Sequence, residues 1–297
     1  MPDVRSRFRP HKPLNLALTL SPIGPGPSMR LRGTEAWRAS HTPHGPATLR
    51  LVMSDGVVDV DAWGPGAAWA SDNAPALCGE EDDDSGFQPR EQALADAKRR
   101  HPGLRIPKTS AVFEVLVPTV IGQKVATDAA HESYRKLVYE LGTVAPGPGN
   151  LRVAPPAEVL AGTPYWAFHR FGIERRRADV IIRAARSARR LEETTAMALP
   201  DAWQRLQAFP GVGQWTAAKV ALVALGDADA VPVGDYHLPH MVGNAFDGTA
   251  RSTDERMLEI LEPFRPHRAR VLRLLLLMGA SAPRFGPRMP LRDIARS

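Results

Sequence analysis

The spacing of apolar residues changes from two to about 3.6 near residue 108, and this change limits the possible folds most strongly. Before it, runs at 14–20, 35–40, 48–53 and 57–62 alternate apolar with polar residues, which is typical of strands. Beyond it, apolar residues recur at helical spacing. Because the two patterns occupy separate parts of the chain, we predict an α+β fold, with an N-terminal antiparallel β domain followed by an all-helical core.

Turn signals divide these two parts further. Asp55 and Gly56 join two predicted strands, and an Asp-Gly pair supplies the positive φ angles of a tight hairpin. Loop-forming residues dominate 63–107, where we expect a connector with one or two helices. The predicted domains are therefore 1–107, the β domain with its connector, and 108–297, the helical domain. Predicted helices cover about 113–125, 127–141, a segment ending near 162, 174–192, 202–208, 215–225, 254–261 and 267–278.

Composition restricts the partners and the cellular compartment. A formal net charge of +6 favours polyanionic partners such as nucleic acid. The single cysteine, Cys78, excludes a disulfide framework and any site held by several thiolates, and we expect it to be a buried, inert thiol. Neither a targeting segment nor an apolar run of about 20 residues is present. We expect a cytoplasmic, nucleoid-associated protein with no membrane partner.

The segment LQAFPGVGQWTA is the most informative stretch of the sequence. A short helix stops at Pro210, a tight turn uses Gly211 and Gly213, and a new helix opens near Gln214. Backbone N–H groups at such a helix start can bind a phosphate without any side chain. A dinucleotide-binding fold does not fit, because Thr216 takes the place of its third glycine and a helix precedes the turn.

The order of motifs resembles the helix-hairpin-helix DNA glycosylase superfamily, with the hairpin unit at about 202–226. Asp235 follows the hairpin by about twenty residues, where that family carries its catalytic aspartate. Within the superfamily the chain resembles the bacterial 3-methyladenine DNA glycosylase II type, which also opens with a β domain. The matching residues are Phe113, Glu114, Ile121, Gly122, Gln123, Val125, Pro210, Gly211, Val212, Gly213, Thr216, Ala217, Pro266 and Arg268.

This resemblance implies a monofunctional DNA glycosylase of base excision repair that acts on duplex DNA as a monomer. Cleavage of an N-glycosidic bond builds positive charge on the deoxyribose, which the Asp235 carboxylate would stabilise while orienting a water. An alkylated base is already a cationic leaving group, so we expect one carboxylate to suffice. The base must first leave the stack, at a cost of a few kcal/mol.

The resemblance also implies further site residues. Hairpin residues would anchor DNA phosphates, two residues of the Gly-Gln motif would probe the gap left by the flipped nucleotide, and four side chains would line the base pocket. The expected DNA contacts are Gly211, Gly213, Gln214, Thr216, Gln123 and Lys124. The expected pocket residues are Trp215, Tyr236, Lys219 and Trp166.

Two branches of the superfamily are excluded. Trp215 stands where the lyase branch carries a nucleophilic lysine, and tryptophan cannot form a Schiff base. One cysteine cannot supply the four thiolates of an iron–sulfur loop, so no such cluster is expected. The resemblance implies no required cofactor, but it does imply a monovalent cation, Na⁺ or K⁺, held by the backbone carbonyls of Gln207, Phe209 and Val212.

Three departures from the family type leave the substrate open. Lys219, Lys124 and Leu276 stand where that type has a pocket tyrosine, a wedge leucine and a pocket tryptophan. A lysine inside the pocket would repel a cationic base. A neutral damaged base such as hypoxanthine or uracil is therefore an alternative substrate, and a lesion-binding protein without catalysis is a third interpretation.

Charged and histidine-containing segments outside these motifs are open to simpler interpretations. The arginines of 175–190 lie opposite an apolar stripe and form either a solvated face or a surface that attracts DNA. The acidic run 80–84 is expected in a distal loop, where it repels DNA. His237 and His240 are expected near DNA or simply exposed, without a metal. The arginine set is Arg175, Arg176, Arg177, Arg183, Arg186, Arg189 and Arg190.

Overall fold

The structure, a computed structural model, describes residues 1–24 and 26–281. A five-stranded antiparallel sheet precedes a mostly helical remainder, so the predicted α+β fold is confirmed. The strands follow the order β1-β5-β4-β3-β2 across the sheet. They are β1 (Val4–Phe8), β2 (Met29–Arg32), β3 (Glu35–Thr42), β4 (Gly45–Ser54) and β5 (Val57–Trp63), and a separate short pair consists of β6 (Thr143–Val144) and β7 (Arg152–Val153).

Three of the four predicted strands are present, and the fourth is a helix. Asp55 and Gly56 have φ angles of 51° and 73°, which confirms the predicted tight turn between β4 and β5. The segment predicted as a strand at 14–20 instead contains α1 (Leu16–Leu20). The side chain of Asn15 accepts the backbone N–H of Leu18, and this cap stabilises a helix start that the alternating pattern did not indicate.

Helices form the remaining regular secondary structure of the described chain. The connector contains three helices, where the sequence indicated one or two: α2 (Ala67–Asp72), α3 (Ala74–Leu77) and α4 (Gln92–Arg100). The helical domain contains α5 (Val112–Ile121), α6 (Thr127–Leu141), α7 (Ala157–Gly162), α8 (Arg175–Arg186), α9 (Ala188–Glu192), α10 (Leu199–Gln207), α11 (Gln214–Val220), α12 (Leu238–Asp247), α13 (Asp254–Leu261) and α14 (Arg268–Leu277). The predicted boundary at 107/108 stays a prediction.

Two of these helices differ from the predicted pattern. The helix expected at 174–192 divides at Ser187, whose φ of −117° and ψ of 16° interrupt the helical backbone between α8 and α9. Helix α12 was not predicted, because it contains Pro239 and Gly243, two poor helix formers. Gly243 is explained by packing, since a Cβ there would lie 2.5 Å from the Cβ of Ser252.

The apolar helix α5 forms the centre of the helical core. It packs against α6, α8, α9 and α11, and Pro118 lies inside it without ending it. The carboxylate of Glu192 accepts the backbone N–H groups of Val112 and Phe113 at 2.9 and 2.8 Å, and so caps the start of the helix. Burial raises the pKa of this carboxyl. The loop that follows α5 is thereby held at a defined place in the core.

An ion pair attaches the sheet to this central helix. Arg38 of β3 donates from Nη2 to Oε1 of Glu114 in α5 at 2.8 Å, and the two side chains are only 7% and 14% exposed. The backbone N–H of His41 donates to the other oxygen of Glu114 at 3.3 Å. Glu114, found in sequence as part of a family motif, therefore joins the two parts of the molecule.

The acidic run at 80–84 lies in a loop of the connector, and its predicted distance from DNA stays a prediction. Each of its carboxylates contacts a basic side chain of the same molecule. Asp82 Oδ1 accepts a hydrogen bond from Arg270 Nη2 of α14 at 2.5 Å, and its Oδ2 accepts the backbone N–H of Ile106 at 2.9 Å. The remaining pairs join Glu80 to His11 and Arg105, Glu81 to Lys108, and both Asp83 and Asp84 to Lys12. The run therefore attaches the connector to α14 and to the N-terminal segment.

Two other expectations concern burial. Cys78 is buried, as predicted, and burial raises the pKa of its thiol to about 12, which keeps it protonated. Within the described residues, no helix combines the length and the apolar character needed to cross a bilayer.

The acidic run provides a test of how the connector is attached. Asp82→Asn leaves Arg270 charged and buried without a counter-charge, so we expect the free energy of unfolding to fall by about 3 kcal/mol. Glu81→Gln is the matched control, since the side chain of Glu81 is 58% exposed and its pair with Lys108 should contribute under about 1 kcal/mol. Urea unfolding of both variants measures the difference. Equal losses would contradict the buried attachment.

Candidate active site

Asp235 lies in the loop immediately before α12, and both of its carboxylate oxygens are held. Oδ1 accepts the backbone N–H groups of His237 and Leu238 at 2.8 and 3.1 Å, and so caps the first turn of α12. Oδ2 accepts the indole N–H of Trp215 at 2.9 Å. These three hydrogen bonds hold the half-buried carboxylate in one position at the start of α12.

A second aspartate holds the turn before Asp235. Gly234 has a φ of +87°, and its backbone N–H lies 3.1 Å from both carboxylate oxygens of Asp254. Asp254 is the first residue of α13. The loop is therefore held by α12 on one side and by α13 on the other. Sequence reasoning missed Asp254, because it stands 19 residues beyond Asp235 and belongs to no motif.

The indole of Trp215 connects the hairpin to the aspartate loop. Its N–H bonds to Asp235, the Nζ of Lys219 lies 5.9 Å from the ring centroid, and the ring approaches Gly122 in the loop after α5. Trp215 was predicted as a stacking surface for the base. The geometry adds that its N–H directs the carboxylate of Asp235.

Tyr236 and Trp166 were also predicted to line the pocket, and they lie in different parts of the structure. Tyr236 is 78% exposed next to Asp235, and its ring contacts the rings of His237 and His240 edge-on. Trp166 is also exposed, in the 3₁₀ helix Tyr165–Phe171, which packs against α6 and α8. Among the described residues, neither Asp235 nor Trp215 makes a hydrogen bond or a ring contact with Trp166. The pocket roles of Tyr236 and Trp166 stay predictions.

The hairpin connects α10 to α11. Close packing requires glycine at position 211, whereas position 213 has room for a side chain. Gly211 has a φ of +96°, and a Cβ there would lie 2.4 Å from the side chain of Val180 in α8. This close approach requires glycine. Gly213 has no heavy atom within 4 Å of the position where a Cβ would stand. Among the described residues, no group accepts the backbone N–H of Gly213, Gln214, Trp215 or Thr216.

Gln123 holds the loop after α5 against the hairpin. Its Nε2 donates to the carbonyl of Gly211 at 3.0 Å and to the hydroxyl of Thr216 at 2.9 Å. Both side chains are therefore engaged within the protein, and the buried Thr216 can offer DNA only its backbone N–H. Lys124, the next residue, is exposed at a φ of +54°, which places it at the tip of the loop.

The hairpin carbonyls fit the implied monovalent cation in part. Within the described chain, the carbonyls of Gln207 and Val212 accept no hydrogen bond, while that of Phe209 accepts the N–H of Val212 at 2.9 Å. A carbonyl has two lone pairs, so all three can still offer an oxygen to a cation. The donor set suits a cation of the Na⁺ or K⁺ class, which prefers neutral oxygen ligands.

Two arginines of the predicted basic face have specific partners. Arg177 is 3% exposed and donates to the carbonyls of Ile121 and Gly172, and burial lowers its pKa. It therefore does not belong to the solvated face. Arg183 is exposed and donates to the carbonyl of Pro210 in the hairpin at 2.9 Å. Neither contact could be identified from the sequence, because seven arginines occur within 175–190 and no neighbouring residue distinguishes these two.

His237 and His240 each contact a neighbouring residue of the protein. His240 Nδ1 accepts the backbone N–H of Ser252 at 3.0 Å, and the exposed His237 faces Tyr236. No group of three histidine, cysteine, aspartate or glutamate side chains in the described ranges could hold a metal ion.

Asp227 is the other aspartate of this region that accepts an indole N–H. Its Oδ2 accepts from Trp203 at 2.6 Å and its Oδ1 accepts from the backbone of Asp229 at 2.9 Å. Burial raises the pKa of this carboxyl, and only 6% of the residue is exposed. Asp227 is therefore closed off from a ligand as large as DNA, whereas Asp235 is accessible.

The chain is similar in sequence to known DNA repair proteins. No protein-family model matches the chain. It is 28% identical to DNA-3-methyladenine glycosylase 2 of Escherichia coli over 179 residues, which cover 59% of this chain and 61% of that protein. It is 33% identical over 143 residues to a probable bifunctional transcriptional activator/DNA repair enzyme AlkA of Mycobacterium tuberculosis, covering 46% of this chain and 28% of that protein. The chain thus spans less than two thirds of the length of these relatives.

Solved structures share the fold over almost the whole chain. A 3-methyladenine DNA-glycosylase from Archaeoglobus fulgidus matches with a TM-score of 0.76 and 21% identity, covering 91% of this chain and 97% of the other. An 8-oxoguanine glycosylase/lyase of Clostridium acetobutylicum, in complex with double-stranded DNA, matches with a TM-score of 0.72 and 13% identity, covering 94% and 98%. In sequence the chain is thus similar to DNA-3-methyladenine glycosylase 2, and in fold it is similar to solved DNA glycosylases along almost its whole length.

Proposed function

We propose that this chain is a monofunctional DNA glycosylase of base excision repair that removes alkylated bases of the 3-methyladenine type from duplex DNA. It acts by hydrolysis, as a monomer, and leaves an abasic site. One observation supports this proposal most directly: the accessible carboxylate of Asp235 is held by Trp215 of the hairpin helix and by the first turn of α12.

The chemistry follows from what this carboxylate can do. As the bond between sugar and base lengthens, positive charge develops on the deoxyribose ring, and the anion of Asp235 stabilises it. The same carboxylate orients the attacking water and accepts its proton as the new C–O bond forms. The electron pair of the broken bond leaves with the base. A base that is already cationic needs no strong general acid.

The hairpin supplies the DNA contact in this proposal. The backbone N–H groups of Gly213 to Thr216 have no acceptor among the described residues, and α11 continues into the π-helical turn Ala221–Leu225. A phosphate at this helix start receives several N–H donors and the favourable end of the helix dipole. Lys124, at the exposed tip of the neighbouring loop, would enter the gap left by the flipped nucleotide, while Gln123 holds that loop in place.

A monovalent cation would bind beside this phosphate. The carbonyls of Gln207, Phe209 and Val212 would hold it, and its charge would offset the repulsion between those oxygens and the phosphate. No iron–sulfur cluster or other cofactor enters the proposed reaction.

Lys219 favours a second candidate function, the removal of neutral damaged bases such as hypoxanthine or uracil. Its Nζ lies 5.9 Å from the ring centroid of Trp215, so a positive charge stands beside a predicted pocket surface. This charge opposes a cationic base and tolerates a neutral one. A panel of duplexes with single cationic or neutral lesions, scored for abasic sites by alkaline cleavage, separates the two. If the natural protein prefers neutral lesions and Lys219→Gln prefers cationic ones, the charge of Lys219 sets the preference.

The role of Asp235 can be tested with two substitutions. Asp235→Asn keeps an oxygen that can cap α12 but loses the negative charge, so the single-turnover excision rate should fall at least about 100-fold. Trp215→Phe keeps the ring but removes the N–H donor, and the rate should fall about tenfold with little change in duplex affinity. Rapid quench with alkaline cleavage measures both rates.

The buried Asp227 provides the control for this experiment. Asp227→Asn should lower the melting temperature but leave the single-turnover rate within about twofold, because its carboxyl bonds to Trp203 rather than to Trp215. Undiminished excision by Asp235→Asn, or no excision from any lesion by the natural protein, would overturn the proposed function. A lesion-binding protein would show binding without excision.

The absence of lyase chemistry makes a separate prediction. Because Trp215 cannot form a Schiff base, borohydride should trap no covalent adduct between the protein and a lesion-containing duplex. Strand cleavage should appear only after alkali is added. A trapped adduct that disappears in Lys219→Gln or in Lys124→Gln would show that a neighbouring lysine acts as the nucleophile, and would contradict the monofunctional proposal.

The hairpin contact is tested most cleanly at Gly213. A Cβ at this position meets no protein atom, so Gly213→Ala should lower the melting temperature by no more than the few degrees that alanine costs at a helix N-cap. In the bound state the same methyl group would stand between the hairpin and a phosphate, and duplex affinity should fall about tenfold. Fluorescence anisotropy with a duplex that carries a non-cleavable abasic analogue measures the affinity. Unchanged affinity would place the DNA contact elsewhere.

A further inference from the structure

Four exposed arginines continue from the hairpin along α8 and α9: Arg183, Arg186, Arg189 and Arg190, here called the arginine strip. None of them forms an ion pair with a carboxylate in the described part of the chain, whereas most other arginines there do. The segment 183–190 contains these four cations and no acidic residue. The strip is therefore a surface of uncompensated positive charge.

The strip begins at the hairpin itself. Arg183 donates one N–H to the carbonyl of Pro210 at 2.9 Å, which leaves its remaining donors free. One turn earlier on the same helix, Val180 packs so closely against the hairpin that a Cβ on Gly211 would clash with it. The first arginine of the strip thus lies beside the free N–H groups that the proposed function assigns to a DNA phosphate.

The length and form of the strip suit an extended anion. Arg183 and Arg190 are seven residues apart, a helical rise of about 10 Å, which is long enough to reach two neighbouring phosphates of one strand. Beyond it, Arg205 of α10 pairs with Glu193 at 3.0 Å at the edge of a cavity of about 520 Å³. The residues that line this cavity are Arg186, Ser187, Arg189, Arg190, Glu193 and Arg205.

We infer that the arginine strip binds the phosphate backbone of duplex DNA beside the hairpin and extends the contact by at least two phosphates. This inference rests on the proposed function, because it takes the hairpin as the place where DNA binds. A polyanion is the matching occupant, because the segment carries four cations and no acidic residue and begins at the hairpin that the proposed function assigns to DNA. The strip contributes affinity, and the reaction at Asp235 does not depend on it.

The test replaces two arginines of the strip, by Arg186→Gln with Arg190→Gln. The probe is a duplex of about 25 base pairs with a central tetrahydrofuran abasic analogue, titrated by fluorescence anisotropy between about 50 and 200 mM salt. Loss of two phosphate contacts should reduce the slope of log K against log[salt] by about 1.8. Single-turnover excision at saturating protein should stay within about twofold of the natural protein.

Two controls make the result specific. Arg5→Gln with Arg7→Gln removes the same formal charge from exposed positions on β1 and should leave the salt slope unchanged. Arg186→Lys with Arg190→Lys keeps the charge and should keep the slope. An unchanged slope in Arg186→Gln with Arg190→Gln would overturn the inference and show a solvated face. An equal reduction of the slope in Arg5→Gln with Arg7→Gln would do the same. Excision is scored separately, so binding without excision would reject the proposed function and retain the strip as a DNA contact.

Discussion

The burial of α5 is the constraint on which the site depends. Polar groups from other elements hold both ends of this apolar helix: Glu192 caps its first turn, and Arg177 binds the carbonyl of Ile121 in its last. A buried helix end without such partners would leave unpaired backbone groups at a cost of about 1–3 kcal/mol each. Because α5 is held in this way, the loop that carries Gln123 meets the hairpin at one fixed position.

Site residues that belong to a short motif could be located from the sequence. Residues that contact the site from other elements could not. The glycines of the hairpin and the register of Asp235 could be found because backbone conformation and spacing leave a trace in the sequence. Asp254 and Arg183 contact a loop and a hairpin from other elements, and nothing in their neighbourhood marks them. Helix α12 was missed because Gly243, which weakens the helical pattern, is required by close packing against Ser252.

The two aspartates that accept indole N–H groups show how environment divides one residue type into two roles. Asp227 is enclosed, so its carboxyl is costly to ionise and bonds to Trp203 within the protein. Asp235 is accessible, and the first turn of α12 donates two backbone N–H groups to its carboxylate. A sequence shows two aspartates eight positions apart. Only the fold assigns burial to one and accessibility to the other.

The ion pairs of the acidic run change what the net charge of the chain means. Five carboxylates at 80–84 are matched by basic groups of the N-terminal segment, the connector and α14, so they act as internal counter-ions. Their negative potential is cancelled locally and contributes little at a distance beyond the Debye length. The field that an approaching polyanion meets therefore comes from the cations left unmatched, and it is more uneven, and more directional, than a formal charge of +6 suggests.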